Sequence, residues 1–214
     1  MRTTLFVWTL NTTACVALTV ALGGDVAHAD ELDTSKDNAA SKSAEAAKPE
    51  DAEIETRGIE LAEGALSLQI SEAWKTVQPR VRIIEHEFAV PTAEGDDEPG
   101  RVTVMVAGGS VEANVDRWLG QFELPEGGNV KEKAKIEEKK IDDLNVHRVD
   151  VTGTYKDQRG PFAPAVTRPD YRMLAAIIQT PQHGNYFIKF YGPKETVGEQ
   201  EKAFDTMLES LKAK

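Results

Sequence analysis

Cysteine is almost absent from this 214-residue chain: its one cysteine, Cys15, lies within the first 29 residues. A domain built from the remaining residues can contain neither a disulfide nor a thiol nucleophile. This composition suits an oxidising compartment, in which a stray thiol is a liability.

Recognisable catalytic motifs are missing as well. No serine stands in a nucleophile-elbow context, and only His86, His147 and His183 follow the first 29 residues. An enzyme needs a nucleophile, a base or a metal within reach of one another. We therefore predict a protein that is not an enzyme, with no catalytic residue, no cofactor and no metal ligand. The alternative is a periplasmic enzyme with a site near His86 and His147.

Positive charge is in short supply. The chain has 25 Lys and Arg against 36 Asp and Glu, a net charge of −11. An acidic protein repels phosphate backbones, so we expect no nucleic-acid partner.

The first 29 residues have the three parts of a secretory signal peptide. Arg2 supplies a positive charge, Leu5 to Leu22 form an apolar stretch, and Ala27-His28-Ala29 gives the small-x-small cleavage pattern. Polar residues at positions 9, 11, 12 and 13 interrupt the apolar stretch, whereas a membrane span needs about 20 mainly apolar residues. We predict cleavage between Ala29 and Asp30 and a periplasmic or secreted protein. The alternative is an uncleaved signal that tethers the protein to the membrane.

Residues 30–57 form an acidic leader with nine acidic and four basic residues. Its only large apolar residues are Leu32 and Ile54, too few to offset the conformational entropy that ordering would cost. We predict that residues 30–57 are disordered and that residues 58–214 form a single globular α+β domain.

Hydrophobic periodicity sets the order of the elements in this domain. It predicts strands at 65–70, 81–90, 102–107, 130–139, 146–155, 171–180 and 186–191, and helices after 110 and from 196. Hairpin-length connections favour antiparallel pairing, and the strands at 102–107 and 171–180 are apolar on both faces. We predict an antiparallel sheet of about six to seven strands covered by helices on both faces, an α/β/α sandwich.

Both helices carry start signals. Ser110 is the predicted N-cap of an apolar stripe that includes Trp118 and Phe122. Thr196 and Glu199 have the spacing of a capping box. The helix that follows is predicted to bury Phe204 and its helical neighbours.

Taken together, these features resemble the PsbP-like fold group. The resemblance rests on Leu66 to Ile70 before a turn with Trp74, on the strand and helix leading to Trp118, and on a late hairpin, Tyr171 to Tyr191, before a C-terminal helix. The group includes the extrinsic photosystem II protein, a nuclear-import factor that binds the GTPase Ran, and many exported bacterial proteins. The resemblance implies an antiparallel sheet between helices and a binding or assembly role, and it transfers no functional residue.

The segment Lys156 to Asp170 is predicted as a 15-residue loop with three prolines. Loops of this length inside compact domains are often functional. It carries Arg159, Phe162 and Arg168, and Tyr171 follows; arginine and aromatic residues are enriched at interface hot spots. We predict that these four residues bind a protein partner. The alternative is an ordered loop with Phe162 packed in the core.

Two charged segments have simpler interpretations. Glu94 to Glu98 lacks the spacing of an EF-hand and is predicted as a solvated loop. Four lysines, at positions 131, 133, 135 and 139, share one face of the predicted strand at 130–139. They either protect an edge strand from unwanted pairing or form a basic stripe for an acidic partner.

The sequence thus predicts an exported, non-catalytic binding or assembly module of the cell envelope. The expected partner is a protein. Contact with a membrane is expected only through an uncleaved signal.

Overall fold

The computed structural model describes residues 53–158 and 164–214. Within these ranges the strands are β1 Thr56–Leu61, β2 Leu66–Ser71, β3 Lys75–Val77, β4 Ile84–Val90, β5 Gly100–Ala107, β6 Phe122–Glu123, β7 Lys135–Ile141, β8 Leu144–Asp157, β9 Val166–Thr180, β10 Gly184–Pro193 and β11 Lys212–Ala213. The helices are α1 Val111–Leu119, α2 Val130–Lys133, α3 Lys194–Glu199 and α4 Glu201–Glu209. None of these helices is long and apolar enough to cross a membrane.

The strands form two antiparallel sheets. The large sheet has the order β3-β4-β5-β10-β9-β8-β6, and β7 also pairs with β8; the small sheet has the order β1-β2-β11. The predicted α+β class with antiparallel pairing is confirmed. The described residues contain more strands than predicted, because β1 and three short strands, β3, β6 and β11, carry too little periodic pattern to be recognised.

Ordered structure begins before residue 58, where the predicted domain starts. Strand β1 opens at Thr56 and pairs with β2 from Thr56↔Ser71 onwards. Ile54, assigned to the leader, packs against the hydrophobic core. Arg57 Nη2 donates to the carbonyl oxygen of Trp74.

Two hydrophobic clusters pack against the large sheet. Alternate residues of β9 belong to different clusters, because successive strand side chains point to opposite faces. The α4 cluster includes Leu174, Ala176 and Ile178 of β9 together with Val104, Ile188, Trp74, Phe204, Met207 and Leu208. The α1 cluster includes Met173, Ala175 and Ile177 of β9 together with Val149, Phe187, Val115, Trp118 and Leu119.

Helix α1 begins as predicted. The Ser110 side chain accepts a hydrogen bond from the Ala113 backbone N–H at 3.2 Å, which satisfies one of the free donors at a helix start. Trp118 is buried and meets the Phe187 ring edge-on at 5.5 Å. Phe122 is also buried but lies in β6, beyond the end of the helix.

The predicted capping box at Thr196 is wrong. Helix α3 already starts at Lys194, after Pro193. Thr196 is fully buried, and its hydroxyl donates to Asp96 Oδ2 at 2.6 Å while accepting from the Ala93 N–H at 3.0 Å. The Thr196 hydroxyl, which the sequence pattern assigned to a helix cap, is therefore used in tertiary contacts with the loop between β4 and β5.

The polar segment 130–139 is not one strand. Its first four residues form α2, with the Asn129 side chain accepting from the Lys131 N–H. Lys131 and Lys133 therefore lie on a helical turn, separate from the face that Lys135 and Lys139 occupy on β7. Strand β7 pairs with β8 and, among the described strands, with no other.

The predicted 15-residue loop at 156–170 is also too long. Strand β8 continues to Asp157 and β9 begins at Val166, so the connection is only residues 158–165. The pairs Lys156↔Thr167 and Asp157↔Val166 extend the hairpin beyond the predicted strand ends. Polar side chains outside the core hid this extension from the hydrophobic pattern.

A candidate partner-binding surface

The structure places two of the four predicted partner-binding residues, Arg168 and Tyr171, near the end of the β8–β9 hairpin. Arg159 and Phe162 lie outside the described residues. Whether the four act together in binding a partner therefore stays a prediction.

A bulge brings Arg168 and Tyr171 to the same face of the sheet. Residues three apart in a regular strand point to opposite faces. Here the pairing runs Gly153↔Tyr171 and Tyr155↔Arg168, so β9 has one extra residue between the two pairs. Asp170 within the bulge has a φ of 52°, a conformation that aspartate tolerates better than most residues.

Arg168 and Tyr171 share one carboxylate. Arg168 Nη1 donates to both oxygens of Glu98 at 2.7 and 2.6 Å, and the Tyr171 hydroxyl donates to Glu98 Oε2 at 2.8 Å. Burial, followed by this hydrogen bond, raises the pKa of Tyr171 to about 12. Tyr171 is only 8% exposed, so its ring offers little surface to a partner.

Three tyrosine rings meet beside this clamp. Tyr155 stacks on Tyr171 at 5.9 Å and contacts Tyr191 at 5.4 Å between ring centroids. Tyr155 is buried, whereas Tyr191 is half-buried. The rings form a rigid floor with Tyr191 at its open side.

Lys189 lies over this floor, two residues before Tyr191 on β10. Its ammonium is 4.9 Å from the Tyr191 ring centroid and 5.2 Å from that of Tyr155. Its Nζ donates to Gln121 Oε1 at 2.6 Å. Among the described residues it forms no ion pair within 4 Å. Burial lowers the pKa of Lys189 to about 7; the charge of Arg101 lowers it further, and that of Asp157 opposes the change.

Arg101 stands next to Lys189 on the same face. Its Nε donates to Glu87 Oε1 at 2.8 Å, its Nη1 donates to the Tyr191 hydroxyl, and its guanidinium lies 5.8 Å from the Tyr191 ring centroid. The Arg101 side chain is 40% exposed. Glu87 is buried, and its second oxygen, Oε2, accepts no hydrogen bond within the described part of the chain.

We call Arg101, Tyr155, Arg168, Tyr171, Lys189 and Tyr191 the aromatic–basic cluster. Its inner half, around Arg168 and Tyr171, is satisfied by Glu98. Its outer half presents a rigid arginine, a tyrosine and a lysine. This composition matches interface hot spots, and cations held against aromatic rings can bind a carboxylate.

The sequence pattern missed the outer half. Residues 186–191 of β10 are apolar or aromatic on both faces except at Lys189, which lies on one face between Phe187 and Tyr191. A single lysine within this run was the available signal. No sequence pattern pointed to Arg101, because its role depends on its neighbours across the sheet.

The histidine site is not supported. His86 lies opposite Val104, on the face of the α4 cluster, stacks 6.1 Å from Phe88, and shares a hydrogen bond with the Glu60 carbonyl oxygen. His147 lies opposite Ile177, on the face of the α1 cluster. The two strands are four positions apart in the sheet, about 19 Å at about 4.8 Å per position. The imidazoles thus cannot meet in one site.

The acidic loop is held by protein contacts. Asp96 accepts from both the backbone N–H and the hydroxyl of Thr196, and Glu98 accepts from Arg168. Within residues 53–158 and 164–214, no three His, Cys, Asp or Glu side chains are grouped so that they could hold a metal ion.

Comparisons with known proteins found similar solved structures only at low sequence identity. No protein-family model and no curated protein matches this chain. The cyanobacterial PsbP (CyanoP) of Synechocystis sp. PCC 6803 has a TM-score of 0.45 at 11% identity, over 76% of this chain and 95% of that one. The Ran-binding protein Mog1p of Saccharomyces cerevisiae has a TM-score of 0.45 at 9% identity, over 75% and 96% of the two chains. LpqN, involved in cell envelope biogenesis of Mycobacterium tuberculosis, has a TM-score of 0.44 at 8% identity, over 74% and 90%. These three proteins share the PsbP-like fold, and at such low identity the likeness concerns the fold alone.

Proposed function

We propose that this chain is an exported, non-catalytic binding or assembly module of the cell envelope, cleaved between Ala29 and Asp30. Its partner is a protein that inserts an acidic side chain at the outer half of the aromatic–basic cluster. Helices covering both faces of the sheet, the predicted α/β/α layering, would leave this end of one face for the partner. The two hydrophobic clusters support that arrangement.

The observation that carries the proposal is the charge balance around Lys189. Arg101 and Lys189 lie side by side on one face, and the near carboxylate, Glu87, bonds to Arg101. Lys189 has an amide oxygen and two aromatic rings instead. A half-buried ammonium without an ion-pair partner costs free energy, and a partner carboxylate would remove that cost.

The test is crosslinked capture from the envelope fraction with the tagged protein. The variant is Lys189→Met, and the matched control is Lys140→Met, which removes an exposed lysine from β7. We expect a protein captured by the wild type and by Lys140→Met but lost from Lys189→Met. Loss by unfolding is not expected, because the substitution removes a buried charge. Equal capture by all three proteins would contradict the proposed surface.

Once the partner is purified, its binding should be linked to proton uptake. With a pKa of about 7, Lys189 is only partly protonated at neutral pH, and a partner carboxylate would complete its protonation, so a fraction of a proton should be taken up per complex. Calorimetry in two buffers of different ionisation enthalpy measures this number. An uptake of zero would show that the partner does not bind at Lys189.

A further inference from the structure

A cleft on the opposite face of the large sheet, distinct from the aromatic–basic cluster, has the charge of an anion site. Its volume is about 380 Å³, within the range of small-molecule pockets, about 300–1,000 Å³. Four basic side chains, two acidic ones, Leu124 and Thr152 line it; the charged residues are Lys133, Lys135, Arg172, Lys194, Glu126 and Asp150. The lining is therefore net positive in a chain whose net charge is −11.

The carboxylate of Asp150 in this cleft is already hydrogen-bonded, as are those of the neighbouring Glu201 and Asp205. Arg172 donates to both oxygens of Asp150 at 2.9 and 2.7 Å and to Glu201 Oε2 at 2.8 Å. Arg148, only 5% exposed at its side chain, donates to the other oxygen of Glu201 and to Asp205. The three acids, Asp150, Glu201 and Asp205, and the two arginines form one network with a net charge of −1, which joins α4 to β8 and β9.

The lysines at the rim have only exposed ion-pair partners. Lys135 pairs with Glu137 at 3.0 Å and Lys194 with Glu195 at 3.6 Å, but all four side chains are largely exposed. Exposed pairs contribute little, about 0–1 kcal/mol, so these lysines can turn to a ligand. Lys133 has no ion pair among the described residues.

We propose that this cleft binds a phosphate or sulfate group. Three lysines from α2, β7 and α3 line the cleft above this hydrogen-bonded floor, and their three positive charges exceed the single net negative charge of the floor together with that of Glu126. Lysine binds such tetrahedral oxyanions as a point charge. Thr152 adds a hydroxyl donor at the floor, and Leu124 adds an apolar wall for the carbon atoms of an ester. Because the network fixes the floor in advance, ordering it adds little entropic cost to binding.

The test is calorimetric titration of the protein with inorganic pyrophosphate and with glycerol 3-phosphate at about 150 mM salt. Saturable binding of at least one probe is expected. The double variant Lys133→Gln/Lys194→Gln should weaken it about tenfold, which corresponds to about 1.4 kcal/mol. The control is Lys75→Gln/Lys140→Gln, which removes the same charge from exposed strands outside the cleft, and it should change the Kd less than twofold.

The two probes and the two double variants distinguish a specific site from diffuse attraction to positive charge. Tighter binding of glycerol 3-phosphate would identify an ester as the ligand, and tighter binding of pyrophosphate a free inorganic ion; both support the site. Equal weakening in the two double variants would show diffuse attraction to positive charge and overturn it. An absence of saturable binding at this salt concentration would overturn it as well. Because all four substituted lysines are exposed, melting temperatures should stay unchanged.

Discussion

Lys189 should make the stability of the fold rise between pH 7 and pH 9. Burial lowers its pKa from 10.5 to about 7, so over this range the unfolded chain binds a proton at Lys189 that the folded chain has released. Stability increases with pH wherever the unfolded state binds more protons. The cost of the buried charge is therefore full below pH 7 and is removed as pH approaches 10.5.

The magnitude follows from the two pKa values. One pKa unit corresponds to about 1.4 kcal/mol, so this group should contribute a gain of roughly 2 kcal/mol between pH 7 and pH 9. This figure is an upper bound, because the side chain is half-buried and solvent screens part of its charge.

The assay is denaturant unfolding of the wild type and Lys189→Met at both pH values. The free energy of unfolding of the variant should exceed that of the wild type by more at pH 7 than at pH 9, with the difference changing by up to about 2 kcal/mol. Lys140→Met, an exposed lysine on β7, should show no such change. A wild-type-to-variant difference that is the same at both pH values would refute a buried ammonium at Lys189.

Three further substitutions test the packing of the fold. Gly153→Ala should destabilise by about 1–3 kcal/mol, because an added Cβ would lie 2.5 Å from the Glu123 carbonyl oxygen, as urea unfolding will show. Thr196→Val should cost about 1–3 kcal/mol by removing the hydrogen bond to Asp96 and leaving a buried N–H without its acceptor, measured in the same way. Arg148→Met should cost about 2 kcal/mol, less than for a fully buried pair, because its carboxylate partners are about one-third exposed; its melting temperature should fall accordingly.

Each of these substitutions has a companion variant that should be close to neutral. Gly108→Ala adds a Cβ where no heavy atom lies within 4 Å and should be close to neutral. Glu199→Ala should also be close to neutral, since Thr196 is not a helix cap; a loss of about 1 kcal/mol would restore the capping box. Lys140→Met is the control for Arg148→Met. Equal losses of stability in these two variants would show that the ion network does not stabilise the fold.

The candidate site was only partly predictable from sequence. Arginine and aromatic residues near the β8–β9 turn indicated a binding end of the molecule, and Arg168 and Tyr171 do lie together there. Their shared contact with Glu98 was hidden, because it joins residues about 70 positions apart. Lys189 and Arg101 become neighbours only when β10 pairs with β5, and sequence periodicity does not specify which strands pair.

Local signals determined much of the architecture. The continuous apolar runs of β9 and β10, the apolar stripes of α1 and α4, and the Ser110 cap each depend only on local sequence. Tertiary structure decided the rest. The bulge at Asp170, the buried hydroxyl of Thr196 and the lowered pKa of Lys189 each depend on groups distant in sequence. Sequence alone therefore determined which residues face a core, whereas only the packed sheet decided which polar groups were left with a partner and which were left without one.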